Sequence, residues 1–436
     1  MNSTTSTPNA RAFALPSDAP RAARLVLKML QRLRHGSLTL QLPDGRMQRF
    51  GSQTLPHATL VLHNWRPCSA ALKSGDIGFA EGFIAGDWST PNLTELLRVL
   101  VSNRAEVEDV IYGTWAGRLL YRIKHLLHRN TRTNSQKNIH AHYDLGNAFY
   151  QLWLDESMNY SAAIFNGDPA QPMAQAQATK VRRALTEAGV KPGDRVLEIG
   201  CGWGALAEMA CAEFDASVTG VTLSTEQLAF ARARMQALGI TASHDAIAPQ
   251  GPCPGAIGIT DRSETSSARC DLRLQDYRDI NDAPFDAICS IEMVEAVGRE
   301  YWPTYFTTLA KLLKPGGKAC IQSIVIDDAL FERYVNSTDF IQQYIFPGGC
   351  LPCPRELRAQ AQAAGLEVVN VHAFGHDYAE TLRRWRDRFL AQREAVLAGG
   401  FDEPFMRIWE FYLAYCEAAF MENNIDVLQV TLKKRA

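Results

Sequence analysis

An open α/β fold with a doubly wound, mostly parallel sheet, preceded by a smaller N-terminal α+β domain, follows from three features of this 436-residue chain. The apolar run Arg195–Ile199 ends in the turn Gly200-Cys201-Gly202-Trp203-Gly204 and leads into a helix-like stretch from Ala205. That is the strand, turn and helix N-terminus where open α/β sheets hold nucleotide-like ligands. Around it, strand-length apolar runs alternate with helix-period stretches, the signature of a parallel sheet wrapped by helices. The length is sufficient for two or three domains.

The elements are read in order. Residues 1–20 are rich in Ser, Thr, Ala and Pro, lack the apolar core of a signal peptide, and read as a disordered tail. Residues 21–35 pattern as a basic amphipathic helix stopped by Gly36. Strands are expected at 37–42, before a Pro43-Asp44-Gly45 turn, and at 58–62. Helical pieces broken at Gly86-Asp87 fill 79–101. Residues 21–103 thus form the N-terminal domain, and 104–137 a helical linker. A second domain spans 138–436. It opens with a helix at 174–188, closed by Gly189, and the strand Arg195–Ile199. A helix to about residue 213 and the strand Ser217–Thr222 come next. The following helix starts at Ser224, with Gln227 at capping-box spacing, and stops at Gly239. Strands at 271–274, Phe285–Ile291 and 318–326 complete the alternation, the last entered through Lys314-Pro315-Gly316-Gly317. Residues 246–269, rich in Gly, Pro, Ser and Ala, read as an inserted surface loop. No internal repeat is present.

Composition narrows the function classes. With 46% hydrophobic and 21% charged residues, the chain matches ordinary globular proteins. Its ten cysteines form no small-domain framework, so reduced thiols and a cytoplasmic location are expected. Cys350 and Cys353 have C-x-x-C spacing without a second pair, and no metal site is read there. Residues 1–137 carry 18 Lys and Arg against 9 Asp and Glu, a net +9; the remainder carries −11. The basic region suggests an anionic partner. Its charges are dispersed and no nucleic-acid motif accompanies them, so a membrane surface is the better fit. The 21–35 helix either lies in a headgroup layer or packs on its own domain.

The turn has G-x-G-x-G spacing, not the G-x-G-x-x-G of dinucleotide enzymes. Its glycines let backbone approach a ligand without a bulky pyrophosphate. Glu198, just before the turn, can accept from an ammonium group or order the loop. The combination points to S-adenosylmethionine rather than NAD.

Several further stretches resemble the cyclopropane-fatty-acyl-phospholipid synthase family, in its longer form with an extra N-terminal domain. They are His142-Tyr143-Asp144-Leu145-Gly146-Asn147, Met158-Asn159-Tyr160-Ser161, Gly220-Val221-Thr222-Leu223-Ser224, Gln275-Asp276-Tyr277-Arg278-Asp279, Glu292-Met293-Val294-Glu295-Ala296-Val297-Gly298, Tyr344-Ile345-Phe346-Pro347-Gly348-Gly349 and Asp377-Tyr378-Ala379-Glu380-Thr381-Leu382. The resemblance implies a class I methyltransferase that uses S-adenosylmethionine to modify the cis double bond of a phospholipid acyl chain. It would do so as a peripheral protein on the inner face of the cell membrane, where a homodimer would gain avidity from two coupled lipid-binding modules. It implies that Tyr160 and Ser161 contact the methionine end of the cofactor, above Gly200, Gly202 and Gly204. Thr222 and Gln227 would hold the ribose, and Asp276 and Tyr277 the adenine. Tyr344, Phe346 and Tyr378 are candidate aromatic faces for a carbocation. His142 suits a headgroup contact or a structural hydrogen bond. The basic helix face in Thr381-Leu382-Arg383-Arg384-Trp385-Arg386-Asp387-Arg388-Phe389 suits phosphate or solvent.

In the family a bound bicarbonate is thought to act as the base, held by a Cys, a Glu, a His, a backbone amide near an Ile, and a Tyr. Glu295, Ile324 and Tyr378 match; Ala162 stands at the Cys position and Gln322 at the His position. Many members have Gly where this chain has Glu292. Three readings stay open: the Glu292 carboxylate replaces bicarbonate, bicarbonate binds through Gln322, or Glu292 is structural. A displaced base would allow a hydride shift, and proton loss would then give a methylene branch in place of a ring; mid-chain methyl- or methylene-forming relatives are the alternative. The two altered positions also leave room for a non-catalytic lipid-binding protein.

Overall fold

The computed structural model describes residues 19–107, 145–242 and 269–436. The chain divides into two units, Met1–Leu119 and Leu120–Ala436, and the division falls within the expected linker 104–137. Most of the expected tail, most of that linker, His142 and the insert up to residue 268 lie outside the described residues.

In the N-terminal unit four strands pair in the order β2-β1-β3-β4: β1 (Ser37–Gln41), β2 (Met47–Gly51), β3 (His57–Leu62) and β4 (Trp88–Ser89). Leu38 and Leu40 of β1, and Leu60 and Leu62 of β3, share one buried face, as period-two alternation requires. The sequence reading missed β2 because only Phe50 of its five residues is buried. Helix α1 (Arg21–Leu30) is shorter than expected. The buried Asn103 side chain accepts from the Arg34 and His35 amides at 2.7 and 2.9 Å and donates to the His35 and Val99 carbonyls. It thereby takes peptide groups that a longer helix would have used. Helices α2 (Arg66–Ile84), kinked at Gly75, and α3 (Leu93–Ser102) complete the unit.

The second unit is built on an eight-stranded sheet of order β11-β12-β10-β9-β5-β6-β8-β7. Its strands are β5 (Arg195–Ile199), β6 (Ser217–Thr222), β7 (Thr241–Ala242), β8 (Arg269–Leu274), β9 (Phe285–Ile291), β10 (Leu313–Ile326), β11 (Leu366–Ala373) and β12 (Ile425–Lys434). The segment from β10 through β9, β5, β6 and β8 to β7 is parallel; β12 runs antiparallel to both β10 and β11. Lys314-Pro315-Gly316-Gly317 is not the turn before β10. It lies within the strand, where the pairing register slips between Leu313 and Lys318.

Two cores cover the two faces of this sheet. Val196, Val218 and Ala287 point toward α5 (Met173–Glu187), α6 (Ala205–Ala212) and α7 (Thr225–Ala237), which follow the short α4 (Asn147–Gln151). Leu197, Val221 and Ile288 point toward α8 (Trp302–Leu312). Helices α9 (Asp328–Tyr334), α10 (Phe340–Tyr344), α11 (Pro354–Ala363), α12 (Gly375–Ala391), α13 (Arg393–Ala398) and α14 (Glu403–Met421) follow β10. This is the doubly wound arrangement expected from the sequence.

Gly220 of β6 pairs with Glu198 of β5 and sets how closely the glycine turn approaches the sheet. A Cβ there would stand 2.6 Å from Leu272 Cδ2 and 3.1 Å from Cys201 Cβ. Gly220→Val should lower stability by about 1–3 kcal/mol through overpacking, measured by denaturant unfolding. Unchanged stability would show that the turn can yield.

Candidate active site

Nine of the ten residues expected to hold a cofactor line one cavity beyond the C-terminal ends of β5, β6, β8 and β9. The exception is Gly204. It caps α6 with φ +86°, and a Cβ on it would stand 3.0 Å from Ala231 of α7, so it is needed for helix packing rather than as cavity wall. Gly200 and Cys201 donate their amides to the Val221 carbonyl at 2.9 and 3.0 Å, which fixes the turn against β6. A Cβ on Gly200 would meet Met293 Cγ at 3.1 Å.

Glu198 is buried, and its Oε2 has no hydrogen-bond partner among the described residues. Burial holds its carboxyl well above the usual range, opposed by Lys180. The Thr222 hydroxyl donates to Gln227 Oε1 at 3.1 Å, while Ser224 Oγ accepts from the Gln227 amide. The capping box is thus only half made, because the Gln227 side chain is used by Thr222. Asp276 departs from expectation: its carboxylate is gripped by Arg278 Nε and Nη2 at 2.8 and 2.6 Å, so any adenine contact must be shared with that pair. The Tyr277 hydroxyl is buried without a partner, and its ring stands edge-on to Tyr305.

Beside this cavity Glu292, Glu295, Gln322, Ile324 and Tyr378 come together. Glu292 Oε1 accepts from the Ala162 amide at 2.9 Å and from Gln322 Nε2 at 2.7 Å; its Oε2 accepts from the Tyr378 hydroxyl at 2.7 Å. Glu292 also lines the cofactor cavity, so the two groups of residues share it. Its φ is +50°, a left-handed conformation that an L side chain adopts at a cost of about 1–3 kcal/mol. Glu295 Oε1 accepts from the Ile324 amide. Burial raises the Glu292 carboxyl above its ordinary value, held back by the Ala162 amide, Tyr378, Gln322 and Lys180. Burial, and then the neighbouring Glu292 charge, push Glu295 up to about 8.

The loop carrying Ala162 is strapped in place. The Ala163 amide donates to Thr381 Oγ1, Ile164 to the Ala176 carbonyl, and Phe165 to Asp377 Oδ2. Asp377, Tyr378 and Thr381 share the first turns of α12, so one helix both aims the phenol at Glu292 and anchors the loop that supplies the amide.

Sequence reasoning missed Lys180. It is fully buried on α5, and its Nζ donates to Ser161 Oγ at 2.6 Å and to Asn159 Oδ1 at 3.1 Å. Burial lowers its pKa to about 8 against the opposing pull of Glu292, Asp155 and Glu198. The signal was available: Met173, Ala176, Gln177, Lys180, Val181 and Ala184 form one helical stripe, and a lysine on it must be buried with a partner.

Other expectations are revised. Tyr344 packs on Phe340, the Phe346 ring lies 6.2 Å from Tyr412, and Tyr378 touches Glu292; none of the three lines the cofactor cavity itself. Three of the four arginines on the basic face of α12 are internally paired, Arg383 with Glu380 and Asp387, Arg384 with Glu380 and over the Phe165 ring, and Arg386 with Glu417, while Arg388 is exposed. The three paired charges are therefore occupied within the fold. Cys350 and Cys353 are free thiols, pushed up to about 12 and about 11 by burial.

The Glu295 shift has a stability consequence. A carboxyl whose folded pKa is raised contributes stability that is complete below its unfolded value near 4.5 and is lost as pH rises toward about 8. Glu295→Gln mimics the protonated form. The native chain should therefore lose thermal stability relative to that variant between pH 5 and 8.5. A pH-independent difference in melting temperature would refute it.

The sequence profile of mycolic acid cyclopropane synthetase matches residues 130–249 and 260–430, and that of a methyltransferase domain matches 197–321. The tuberculostearic acid methyltransferase UfaA1 of Mycobacterium tuberculosis is 36% identical over 95% of this chain and 92% of its own length. The cyclopropane-fatty-acyl-phospholipid synthase of Escherichia coli K12 is 30% identical over 91% and 95%. Among solved structures, the mycolic acid cyclopropane synthase CmaA1, in complex with SAH and CTAB, superposes with a TM-score of 0.58 at 29% identity, over 69% of this chain and 98% of that one. With this fold, this cavity and matches of this extent, the chain belongs to the mycolic acid cyclopropane synthetase family of S-adenosylmethionine-dependent methyltransferases, which act on lipids.

Proposed function

We propose that the chain methylates the cis double bond of an unsaturated acyl chain carried by a phospholipid, and that Glu292 is the base of the reaction. The observation that carries this reading is the Glu292 carboxylate itself. It faces the cofactor cavity and takes the three donors, Ala162 amide, Gln322 and Tyr378, that surround the expected anion position.

The cofactor's fit is supported by this chain's own groups. The unpartnered Glu198 Oε2 suits an ammonium group, Thr222 and Gln227 suit ribose hydroxyls, and Tyr277 suits the adenine ring. S-adenosylmethionine, when bound, supplies an electrophilic methyl group. An alkene is a weak nucleophile, so the protein must hold it in line, a contribution of roughly 7–11 kcal/mol. The new carbon–carbon bond leaves a cation on the acyl chain, and the site must exclude water or the cation is quenched. Glu292 then takes a proton from the transferred methyl group, and the released electron pair closes the three-membered ring. Its raised pKa suits a group that accepts a proton and returns it to solvent. Bicarbonate would have to compete for donors that Glu292 already holds.

A methylene branch, formed by a hydride shift and then proton loss, is a second reading. The tuberculostearic acid methyltransferase UfaA1 is 36% identical to this chain, against 30% for the Escherichia coli K12 cyclopropane-fatty-acyl-phospholipid synthase.

Membrane association is part of the proposal. Helix α1 exposes Arg21, Arg24 and Lys28 beside the exposed Leu25, a surface suited to an anionic cytoplasmic leaflet. Among the described residues no helix is long and apolar enough to cross a membrane.

Incubation with cis-unsaturated phospholipid vesicles and methyl-labelled S-adenosylmethionine should yield acyl chains heavier by one CH₂. Resistance to hydrogenation would identify the ring and saturation the methylene branch; absence of label from lipid would end the reading. Glu292→Gln should reduce turnover by about 10²–10⁴-fold with cofactor affinity little changed, and near-normal turnover would remove Glu292 from the role. Depleting bicarbonate should leave the rate within about twofold; a large loss restores bicarbonate as the base.

Reversing Arg21, Arg24 and Lys28 to Glu should weaken binding to anionic vesicles without altering cofactor affinity. Unchanged vesicle binding would move the membrane contact elsewhere.

A further inference from the structure

Behind Gln322 a chain of buried polar groups runs from the active site to the edge of helix α5. Gln322 of β10 and Gln429 of β12 are directly opposed across the antiparallel pair, and both are fully buried. Gln429 Nε2 donates to Gln322 Oε1 at 3.0 Å. On its other side, Gln429 Oε1 accepts from Arg183 Nη1 at 2.6 Å. Arg183 is steadied by Glu187, one turn along α5, at 3.4 Å.

The polarity of this chain is forced. A primary amide can be turned end for end, and its surroundings decide which end is which. A guanidinium only donates, so Gln429 must present its oxygen to Arg183. The backbone carbonyl of Lys180 only accepts, and it takes Gln429 Nε2 at 3.2 Å. Two independent neighbours therefore agree on the orientation of Gln429. Its NH₂ then faces Gln322, which must answer with oxygen and turn its own NH₂ to Glu292 Oε1. Reversing Gln322 would set oxygen against carboxylate and NH₂ against NH₂ in a fully buried place.

We infer that Arg183 is a positioning residue, which acts through Gln429 to hold Gln322 as a hydrogen-bond donor to Glu292. This rests on the reading of Glu292 as the base. A donor on the carboxylate favours its ionised form. The other titratable groups facing Glu292 are Lys180 from α5, Tyr378 from α12 and Glu295 from its own turn. The neighbouring strand and loop contribute Gln322 and the Ala162 amide. With the relay broken, Gln322 is free to rotate, Glu292 holds its proton to higher pH, and the acid limb of the rate profile moves upward.

The test is the pH dependence of label transfer to dioleoyl phospholipid vesicles by the full-length chain and its variants. Gln429→Met keeps length and net charge but cannot pass on the polarity. Arg183→Met removes the donor at a partly exposed site, and Arg183→Lys restores one. Both Met variants should move the acid limb up by about one pH unit, about a tenfold loss below it, with recovery at alkaline pH and unchanged cofactor affinity. Arg183→Lys should keep the native profile. A limb unmoved in Gln429→Met overturns the relay, as does a shift confined to Arg183→Met, which would be a plain charge effect. Should Gln429→Met not fold, Gln429→Glu keeps the shape, still accepts from Arg183 and cannot donate when ionised; an unmoved limb there overturns the relay too. Glu292→Gln separates the two claims: a native profile in that variant ends the base reading and the relay with it, whereas loss of activity there with an unmoved Gln429 limb ends the relay alone.

Discussion

The buried carboxylate of Glu292 is the constraint on which the rest of the site depends. A buried carboxyl group on a left-handed residue is doubly unfavourable, and three donors converging on it offset that cost. Each donor makes its own demand on the fold. The Ala162 amide requires the 160–165 loop to be pinned to α12. The Tyr378 phenol requires α12 to begin beside that loop. Gln322 requires β12 to lie beside β10 with its own glutamine in register. The C-terminal elements that follow the common α/β core therefore serve the site directly.

Charge balance explains the lysine within the protein. Glu198 and Glu292 both line the cavity and Glu295 lies next to Glu292, while Lys180 is the cation that acts on the first two. Burying an ammonium is expensive, as its lowered pKa shows, yet nearby carboxylates and the Ser161 and Asn159 oxygens offset that cost. Glu295 is relieved differently: burial, and then the neighbouring Glu292, push its carboxyl up to about 8, toward the neutral form. The two glutamates three residues apart are therefore chemically distinct groups.

Aromatic packing lines this side of the site and would keep water from the cation of the proposed reaction. Trp153, Tyr160 and Trp385 pack with ring centroids 5.4–5.6 Å apart, and α4 adds Tyr150 against Tyr160 and Trp203. The indole nitrogens of Trp153 and Trp385 are buried without partners. Tyr160 spans both environments, lining the cavity and pairing its hydroxyl with Tyr412 at 2.8 Å.

What the sequence by itself determined was local and periodic. Strands β5, β6 and β9 are legible to the residue, because apolar runs bounded by glycine and polar turns follow from backbone geometry. The glycine turn and Glu198 are contiguous, so their chemistry could be read without a fold. The departures at Ala162, Gln322 and Glu292 were likewise visible as residue types. Only the tertiary structure decided that they meet. Ala162 lies 130 positions from Glu292, Tyr378 86 and Gln322 30; Gln429 lies 107 from Gln322 and 246 from Arg183. Side-chain spacing along the chain holds no record of sheet order or strand register, and those set every one of these contacts. The same reason explains why the basic face of α12 looked available: its acidic partner Glu417 stands on another helix, and its ring partner Phe165 on another loop. A helix reveals which face is buried, but not the charges that the fold brings to meet it.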